Sequence, residues 1–311
     1  MKHVFIINPK AGKGNGVSRI YAMAEKLRRE HGLNAECMLT QSAGHATTLT
    51  RAIAQTGEEV RFYACGGDGT VNEVAGGIVG CPNAAMTAIP IGTGNDFLKN
   101  FGADAKKFAD AENLFDGPVK ELDLIDCNGR PTVTVACSGI DARIAADVHR
   151  YSTRPLVDGK TSYLLSAGFN FIYRGIGEHW TVYLDGEEQA QKDYSLIAVC
   201  NGRHYGGGFM PMPEASMTDG VLNTILVDKV SRATFATAIG DYMKGKYKKH
   251  ADILKTSAAK EIRIVSEGED IVTCLDGEIV RNREVCIRLS EYKLRFFGPE
   301  GFDPDASRKA E

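Results

Sequence analysis

Residues 60–73 read Val-Arg-Phe-Tyr-Ala-Cys-Gly-Gly-Asp-Gly-Thr-Val-Asn-Glu, so an apolar run ends in a glycine-rich turn. The same order of apolar run and glycine cluster occurs in residues 3–16 and again in residues 85–96. Glycines after a strand let backbone N–H groups approach an anion, and a following helix adds the partial positive charge of its N-terminus. Because the carboxyl ends of parallel strands share one edge of a sheet, the three loops together predict a polyphosphate site.

The pattern of residues 1–125 is typical of a parallel α/β domain. Short apolar runs alternate with helical patterns, the first of which has Val17, Ile20, Ala24 and Leu27 at helical spacing. We therefore predict an α/β domain over residues 1–125. Its predicted strands are His3–Ile7, Asn34–Leu39, Val60–Cys65, Ala85–Ile89 and Val119–Ile125.

After Asp126 the pattern changes to strands closed by turn dipeptides. Such pairs tolerate the positive φ angles of tight hairpins, which indicates antiparallel β structure. We predict a second, β-rich domain over residues 126–289, and the C-terminal segment 290–311 is a candidate for completing the first domain. The dipeptides are Asn128-Gly129, Asp185-Gly186, Asn201-Gly202, Asp219-Gly220 and Asp276-Gly277, and helices are predicted at Asp141–His149, Ser162–Tyr173 and Arg232–Lys244.

Composition excludes several classes of protein. The 311 residues are 43% hydrophobic and 25% charged, which fits a folded globular chain rather than a disordered or collagen-like one. The 37 Lys and Arg residues nearly balance the 40 Asp and Glu residues, which disfavours nucleic-acid binding. The eight cysteines are scattered singly, which indicates buried thiols in a reducing cytosol rather than a zinc site or a disulfide framework.

The polar residues of the glycine loops also have purely structural interpretations. Thr70 and Glu73 have the spacing of a capping box, in which the glutamate would tie back the start of its own helix. Asn95 or Asp96 would likewise serve as an ordinary helix N-cap. The residues alone leave these alternatives open beside ligand binding.

Ordered motifs along the whole chain resemble the diacylglycerol kinase catalytic domain and its bacterial lipid kinase relatives. The resemblance is carried by the loop at 8–12, by the motifs at 66–74 and 92–97, by a middle motif at 206–220 and by Leu-Asp-Gly-Glu at 275–278. The family implies an α/β nucleotide-binding domain with a parallel sheet, like that of NAD kinases and phosphofructokinases, followed by a β-sandwich domain. It also implies transfer of the γ-phosphate of ATP to a lipid hydroxyl in the cleft between them.

The resemblance implies which residues bind ATP and Mg²⁺. Asp68 and Asp96 would face the phosphates through Mg²⁺, because carboxylates suit a hard cation that neutralises phosphate charge during transfer. Asp219 matches the aspartate of a further magnesium site near the middle motif, although Ser216, Thr218 and Val221 depart from that pattern. The implied ATP site comprises Asn8, Pro9, Lys10, Ala11, Gly12, Thr40, Gly66, Gly67, Asp68, Gly69, Thr70, Val71, Asn72, Glu73, Gly92, Thr93, Gly94, Asn95 and Asp96.

A general base must take the proton of the lipid hydroxyl. Leu-Asp-Gly-Glu occurs twice, at 184–187 and at 275–278, and the residues alone predict a hairpin turn for both copies. Only the resemblance selects Asp276 and Glu278 as the catalytic pair, and which of the two is the base stays open.

The function expected from the resemblance is a cytoplasmic lipid kinase that visits the inner membrane face as a peripheral protein, with diacylglycerol as the first acceptor. The candidate membrane contacts are the basic run at 244–250 and the apolar segment at 161–173, each of which also suits an ordinary helix. A homodimer is compatible with these features. An NAD kinase-like enzyme and a catalytically silent nucleotide-binding regulator are the alternatives, although Asn72-Glu73 directly follows the glycine motif here, unlike in NAD kinases.

Overall fold

The computed structural model describes residues 1–12, 15–92, 95–152 and 175–306. The first elements are β1 (Lys2–Ile7), α1 (Gly16–His31), β2 (Asn34–Leu39), α2 (His45–Ala54), β3 (Val60–Gly66), α3 (Asp68–Ile78), β4 (Ala84–Pro90), α4 (Asp96–Lys99) and β5 (Val119–Leu122). They are followed by β6 (Ile125–Cys127), β7 (Arg130–Thr132), β8 (Val135–Gly139), α5 (Ile140–Ser152), β9 (Glu178–His179), β10 (Thr181–Leu184), β11 (Glu187–Glu188) and β12 (Asp193–Cys200). The last elements are β13 (Leu222–Asp228), α6 (Arg232–Tyr242), β14 (Leu254–Ala259), β15 (Glu261–Val265), β16 (Ile271–Leu275), β17 (Glu278–Asn282), β18 (Glu284–Leu289) and β19 (Leu294–Phe297).

The first sheet has six strands in the order β2-β1-β3-β4-β19-β5. Strands β1 to β4 pair in parallel, β19 runs parallel to β4, and β5 is antiparallel to β19. Val4, Phe5, Ile6 and Ile7 are all fully buried, as expected for a central strand with helices on both faces of its sheet. The predicted parallel α/β fold is confirmed, and β19 brings the end of the chain into the same sheet.

The rest of the chain forms a β-sandwich. Its two antiparallel sheets have the strand orders β11-β10-β15-β18-β6-β7 and β14-β13-β12-β8-β16-β17. Ile262 and Ile264 of β15 point inward with Ile197 and Val199 of β12, whereas Arg263 lies on the outer face over the Tyr183 ring. This alternation is what a half-buried antiparallel strand requires. The opposite face of the second sheet packs against α5 and α6.

The strand predicted at Val119–Ile125 is wrong as a single element. The structure divides it into β5 of the first sheet and β6 of the sandwich, with Asp123 between them. The Asp123 carboxylate is buried, where it accepts hydrogen bonds from Lys293 Nζ and from the Gly220 N–H. These partners come from two distant loops and satisfy the buried carboxylate at the point where the chain leaves one sheet and enters the next.

The hairpin predictions are confirmed at three of the five turn dipeptides. Asn128, Asp185 and Asp276 have φ angles of 49°, 47° and 46°, and a glycine with positive φ follows each of them. Two central residues with positive φ form the turn that matches the twist of paired strands. Asn201 is different, because its side-chain amide donates to the Asp123 and Val133 carbonyls inside the protein.

The predicted helices at Asp141–His149 and Arg232–Lys244 are confirmed as α5 and α6, whereas the one at Ser162–Tyr173 lies outside the described residues. In the ranges that the structure covers, every helix is too short or too polar to cross a bilayer.

Burial of His3 leads to a prediction for stability against pH. Its Nδ1 lies 2.9 Å from the Tyr63 hydroxyl, and burial, with the charge of Arg61, lowers the His3 pKa to about 4. Between pH 6.5 and 4 the unfolded chain therefore binds a proton at this residue that the folded chain does not, so stability falls as the pH is lowered. On going from pH 7 to pH 5, the free energy of unfolding should fall more in the wild type than in His3→Gln. We expect the difference to be roughly 1 kcal/mol, after a reduction for solvent screening.

Urea unfolding at the two pH values measures this difference. The His179→Gln variant removes an exposed imidazole and should keep the wild-type pH dependence. An identical loss of stability in the wild type and in His3→Gln would contradict the assignment.

Candidate active site

The glycine loops after β1, β3 and β4 meet at the carboxyl edge of the first sheet, as predicted. The Asn8 N–H donates to the Cys65 carbonyl at 3.0 Å, and the N–H groups of Ile91 and Gly92 both donate to the Gly66 carbonyl at 3.1 Å. A Cβ atom added at Gly92 would lie 3.0 Å from the backbone of Gly67. The loops thus pack backbone against backbone, which only residues without a side chain allow.

A groove of about 840 Å³ runs along these loops. Of the predicted ATP-site residues, those that line it are Asn8, Pro9, Lys10, Ala11, Gly12, Thr40, Gly67, Asp68, Gly69, Thr70, Glu73 and Gly92. Gly66 ends β3, Val71 and Asn72 are buried in α3, and Thr93 and Gly94 lie outside the described residues. Residues 41–43 and Ala46 also line the groove, although they were not predicted from the sequence. Their loop follows β2, so its place after another parallel strand could have indicated them.

The capping roles considered for Glu73 and Asn95 are wrong, because both side chains bond to other groups. Helix α3 has no side-chain cap at its start, and Glu73 Oε2 instead accepts the Ala46 N–H of α2 at 3.0 Å. Asn95 does not cap α4 with its side chain, since its amide donates to the Gly92 carbonyl at 3.0 Å. Glu73 therefore ties α3 to the start of α2, and Asn95 closes its own loop, rather than either side chain capping its own helix.

Asp68 and Asp96 join the nucleotide loops to the second domain. Both oxygens of Asp68 accept backbone N–H groups at 3.0 Å, one from Asp96 and one from Phe97. Asp96 in turn accepts from Lys99 Nζ and from the Gly207 N–H, each at 2.6 Å. The glycine run at 206–208, to which the sequence assigned no role, thereby brings a loop of the sandwich domain onto Asp96.

A cavity of about 250 Å³ lies where the two domains meet. Asp68 and Asp96 line it from the first domain and Asp276 lines it from the second. Its remaining wall is largely apolar and includes Val135 and Phe209. The cavity therefore combines carboxylates from both domains with a largely apolar lining.

Asp276 is held by the strand next to it. Its carboxylate accepts the N–H groups of Val133 at 2.7 Å, Thr134 at 3.0 Å and Val135 at 2.9 Å. Burial raises the pKa of Asp276 to about 6, and the negative charge of Asp68 adds to this rise. The three hydrogen bonds favour the ionised form and therefore oppose it. Asp276 is therefore ionised near neutral pH, and it organises the backbone beside the cavity.

The two Leu-Asp-Gly-Glu copies have the same turn and different surroundings. Each forms the two-residue connection of a hairpin, β10 with β11 and β16 with β17. Asp185 Oδ1 accepts the N–H groups of Lys260 and Glu261 at an exposed position, and Asp185 is not among the cavity residues. Only the second copy therefore lies where the two domains meet.

Glu278 is the less constrained member of the predicted catalytic pair. It is exposed, and its carboxylate has no hydrogen-bond partner within the described ranges. Partial desolvation raises its pKa, and the negative charge of Glu73 in the nucleotide groove raises it further. Glu278 is not among the residues that line the groove or the cavity, although it is close enough to Glu73 to be affected by its charge. A partly desolvated carboxylate that makes no hydrogen bond within the described ranges has the properties of a proton acceptor.

Comparison with known proteins assigns the family. The diacylglycerol kinase catalytic domain matches residues 2–127, and the YegS C-terminal NAD kinase beta sandwich-like domain matches residues 134–296. The chain belongs to the diacylglycerol kinase catalytic-domain family. The first match covers most of the α/β part, and the second covers most of the β-sandwich.

Relatives in the diacylglycerol kinase family match nearly the whole chain. A diacylglycerol kinase of Mycobacterium tuberculosis is 27% identical over 279 residues, which cover 88% of this chain and 87% of that protein. A protein of Pseudomonas aeruginosa named "Probable lipid kinase YegS-like" is 26% identical over 293 residues, or 93% of each chain. The crystal structure of a diacylglycerol kinase from Bacillus anthracis has the same fold, with a TM-score of 0.70 at 21% identity over 97% of this chain and 98% of that chain.

The family implies ATP as phosphate donor, and the donor set near the cavity is compatible with Mg²⁺. Asp68 and Asp96 supply carboxylate oxygens from adjacent loops, and Mg²⁺ usually takes one or two carboxylates with phosphates and water. Asp219 is exposed and does not line this cavity, and Ser216 and Thr218 donate to Asp305 instead. No cluster of three metal-binding side chains occurs in the parts of the chain that the structure describes, so the metal roles stay predictions.

Proposed function

We propose that this member of the diacylglycerol kinase family transfers the γ-phosphate of ATP to the hydroxyl of a lipid, with diacylglycerol as the first acceptor to test. The observation that carries the proposal is the cavity at the domain junction, where Asp68 and Asp96 of the nucleotide loops face Asp276 across a space with an apolar wall. A polyphosphate suits the groove along the nucleotide loops, and an acyl chain suits the apolar part of the cavity wall.

We assign the base to Glu278 and a positioning role to Asp276. Asp276 accepts three backbone N–H groups, which fix its carboxylate in place and leave fewer of its lone pairs available to a substrate hydroxyl. Glu278 is two residues away, exposed, and free to accept the proton of a lipid hydroxyl. As the oxygen loses its proton to Glu278, it attacks the γ-phosphorus, and ADP departs as the leaving group.

The groups of the first domain would bind and orient the nucleotide. The backbone of residues 8–12 and 67–70 would surround the phosphates, while Asp68 and Asp96 would hold Mg²⁺. When bound, Mg²⁺ supplies positive charge that neutralises the phosphates during transfer. Lys99 donates a hydrogen bond to Asp96 and orients its carboxylate.

We propose contact with a membrane surface because the acceptor resides there. The apolar candidate at 161–173 lies outside the described residues. In the basic run, Lys248 pairs with Glu214 at 2.8 Å, and Lys249 and His250 both pair with Asp241. Because the charges of Lys248 and Lys249 are already paired with carboxylates, the run has less charge to offer anionic lipid than its sequence indicates.

A panel of acceptors tests the proposed function. The purified chain is incubated with γ-³²P-ATP and Mg²⁺ in mixed micelles that contain diacylglycerol, phosphatidylglycerol, ceramide or sphingosine, with NAD in a parallel reaction. Radiolabelled lipid supports the proposal. Label on NAD alone would assign an NAD kinase-like activity, and ATP binding without any labelled product would assign a regulator.

Gly12 provides a prediction for the nucleotide groove. Its φ is +75°, and a Cβ atom at this position would lie 2.1 Å from the Ile91 carbonyl oxygen. Since backbone cannot give way as a flexible side chain can, Gly12→Ala should displace the loop at 8–12. We expect at least a tenfold loss of affinity for a non-hydrolysable ATP analogue, or about 1.4 kcal/mol, by calorimetry.

Gly32→Ala is the matched control, because Gly32 has a φ of +66° but no atom within 4 Å of its added Cβ. It should cost about 1–2 kcal/mol of stability from backbone strain and leave nucleotide affinity unchanged. Equal affinity in both variants and in the wild type would contradict a nucleotide role for the loop.

A further inference from the structure

A fourth carboxylate, that of Asp141, lines the cavity at the domain junction. Asp141 lies in the first turn of α5, which packs on the sandwich sheet that carries Asp276. The cavity lining also includes Cys137, Ala145 and Tyr205, so Asp141 is a polar group in a wall that is largely apolar. Neither the nucleotide loops nor the proposed base uses it.

Two tyrosines hold Asp141 in place. The Tyr205 hydroxyl donates to Asp141 Oδ2 at 2.5 Å, and the Tyr242 hydroxyl lies 2.7 Å from the Tyr205 hydroxyl. Burial raises the pKa of Tyr205, so its hydroxyl stays protonated and donates to Asp141. Burial also raises the pKa of Asp141, and the hydrogen bond from Tyr205 opposes that rise by favouring the ionised carboxylate. Tyr205 adjoins the glycine run whose Gly207 N–H bonds Asp96, and one loop thus orients both carboxylates.

The second oxygen of Asp141, Oδ1, has no hydrogen-bond partner in the described part of the chain. Nor does a Lys or Arg side chain pair with this carboxylate there; the nearby Arg143 pairs with Glu178 instead. Asp141 is part-buried in a largely apolar wall, so no protein donor among the described residues competes with a ligand for this oxygen. The oxygen is therefore matched to a ligand that brings a hydrogen-bond donor.

The chemistry of acceptor lipids distinguishes among possible ligands. Diacylglycerol has a single hydroxyl, which must reach the phosphate, and its other polar groups are ester acceptors. A lipid with a second hydroxyl, an amide N–H or an ammonium beside the reacting hydroxyl can donate to Asp141 while the first hydroxyl reacts. A site built to bond a substrate donor strongly discriminates against an analogue that lacks it.

We propose that Asp141 is a specificity-determining residue, which accepts a hydrogen bond from a second donor on the acceptor lipid. The acceptor class is then a lipid diol or amino alcohol in preference to diacylglycerol. The inference rests on the proposed lipid kinase activity and narrows its substrate.

The test compares kcat/KM for phosphatidylglycerol and ceramide with that for diacylglycerol in the same micelles. The wild type should prefer at least one of the two-donor lipids by tenfold or more. Asp141→Leu, which removes the acceptor, should lower that preference at least tenfold, and Asp141→Asn should lower it in the same direction by a smaller factor. Asp270→Asn, which changes an exposed carboxylate paired with Arg283, should keep the wild-type ratio.

A merely structural role of Asp141 would lower the rates for all lipids together and leave the ratio unchanged, and that result would overturn the inference. So would a wild type that prefers diacylglycerol. If Asp141→Leu does not fold, the ratio in Asp141→Asn decides. A wild type that labels no lipid would instead remove the proposed function on which the inference rests.

Discussion

Glu278→Gln is expected to lower the turnover of lipid phosphorylation by about 10²–10⁴-fold, the range for loss of a general base. The glutamine has nearly the same shape but cannot take a proton from the acceptor hydroxyl. Because Glu278 is exposed and makes no hydrogen bond in the described structure, the substitution should leave thermal stability and ATP affinity near wild-type values. Single-turnover transfer rates and calorimetric titration with an ATP analogue measure the two quantities.

The first Leu-Asp-Gly-Glu copy supplies the matched control. Glu187 occupies the same position in an identical four-residue hairpin, and no residue of that first copy lines the cavity. Glu187→Gln should keep full turnover. Full turnover in Glu278→Gln would remove Glu278 from the base role, and an equal loss in both variants would mean that the measurement reports general damage.

Asp276→Ala should abolish transfer and also destabilise the protein, because it acts on structure and site together. Truncation leaves the N–H groups of Val133, Thr134 and Val135 without their acceptor in a buried setting. At about 1–3 kcal/mol for each unsatisfied group, with partial relaxation, we expect a loss of roughly 3–5 kcal/mol. Urea unfolding followed by a transfer assay of the folded fraction measures both effects.

Asp185→Ala is the corresponding change in the other copy. Its two N–H partners are exposed and can bond to water, so the loss should be about 1 kcal/mol or less, with transfer intact. Wild-type stability in Asp276→Ala would contradict the positioning role. Normal transfer in that variant would exclude Asp276 from the site altogether.

Much of the fold could be predicted because its signals are local. The buried runs at β1 and β3, the glycines that follow them and the Asp-Gly turns each specify a conformation within a few residues. Local signals also placed the three glycine loops at one sheet edge, since parallel strands share their carboxyl ends. The catalytic pair, in contrast, was selected over an identical copy only by the resemblance.

The rest depended on contacts between distant residues. Asp276 and its three N–H partners are 141–143 positions apart, and Gly207 is 111 positions from Asp96. No spacing rule encodes such pairs. The same holds for Asp123, which bonds to the distant Lys293 at the point where the predicted strand is interrupted. It also holds for Asp141, whose place in the sequence indicates only a helix and not a cavity.

The central claim is that the junction of the two domains is a site for phosphate transfer from ATP to a lipid hydroxyl. The most direct test is product analysis of a reaction with purified protein, γ-³²P-ATP, Mg²⁺ and the acceptor lipids, in which ADP and phosphorylated lipid are both quantified. We predict ADP and a lipid phosphomonoester in equal amounts, with neither formed when lipid is omitted. ADP with free phosphate and no labelled lipid, or label on NAD alone, would contradict the account.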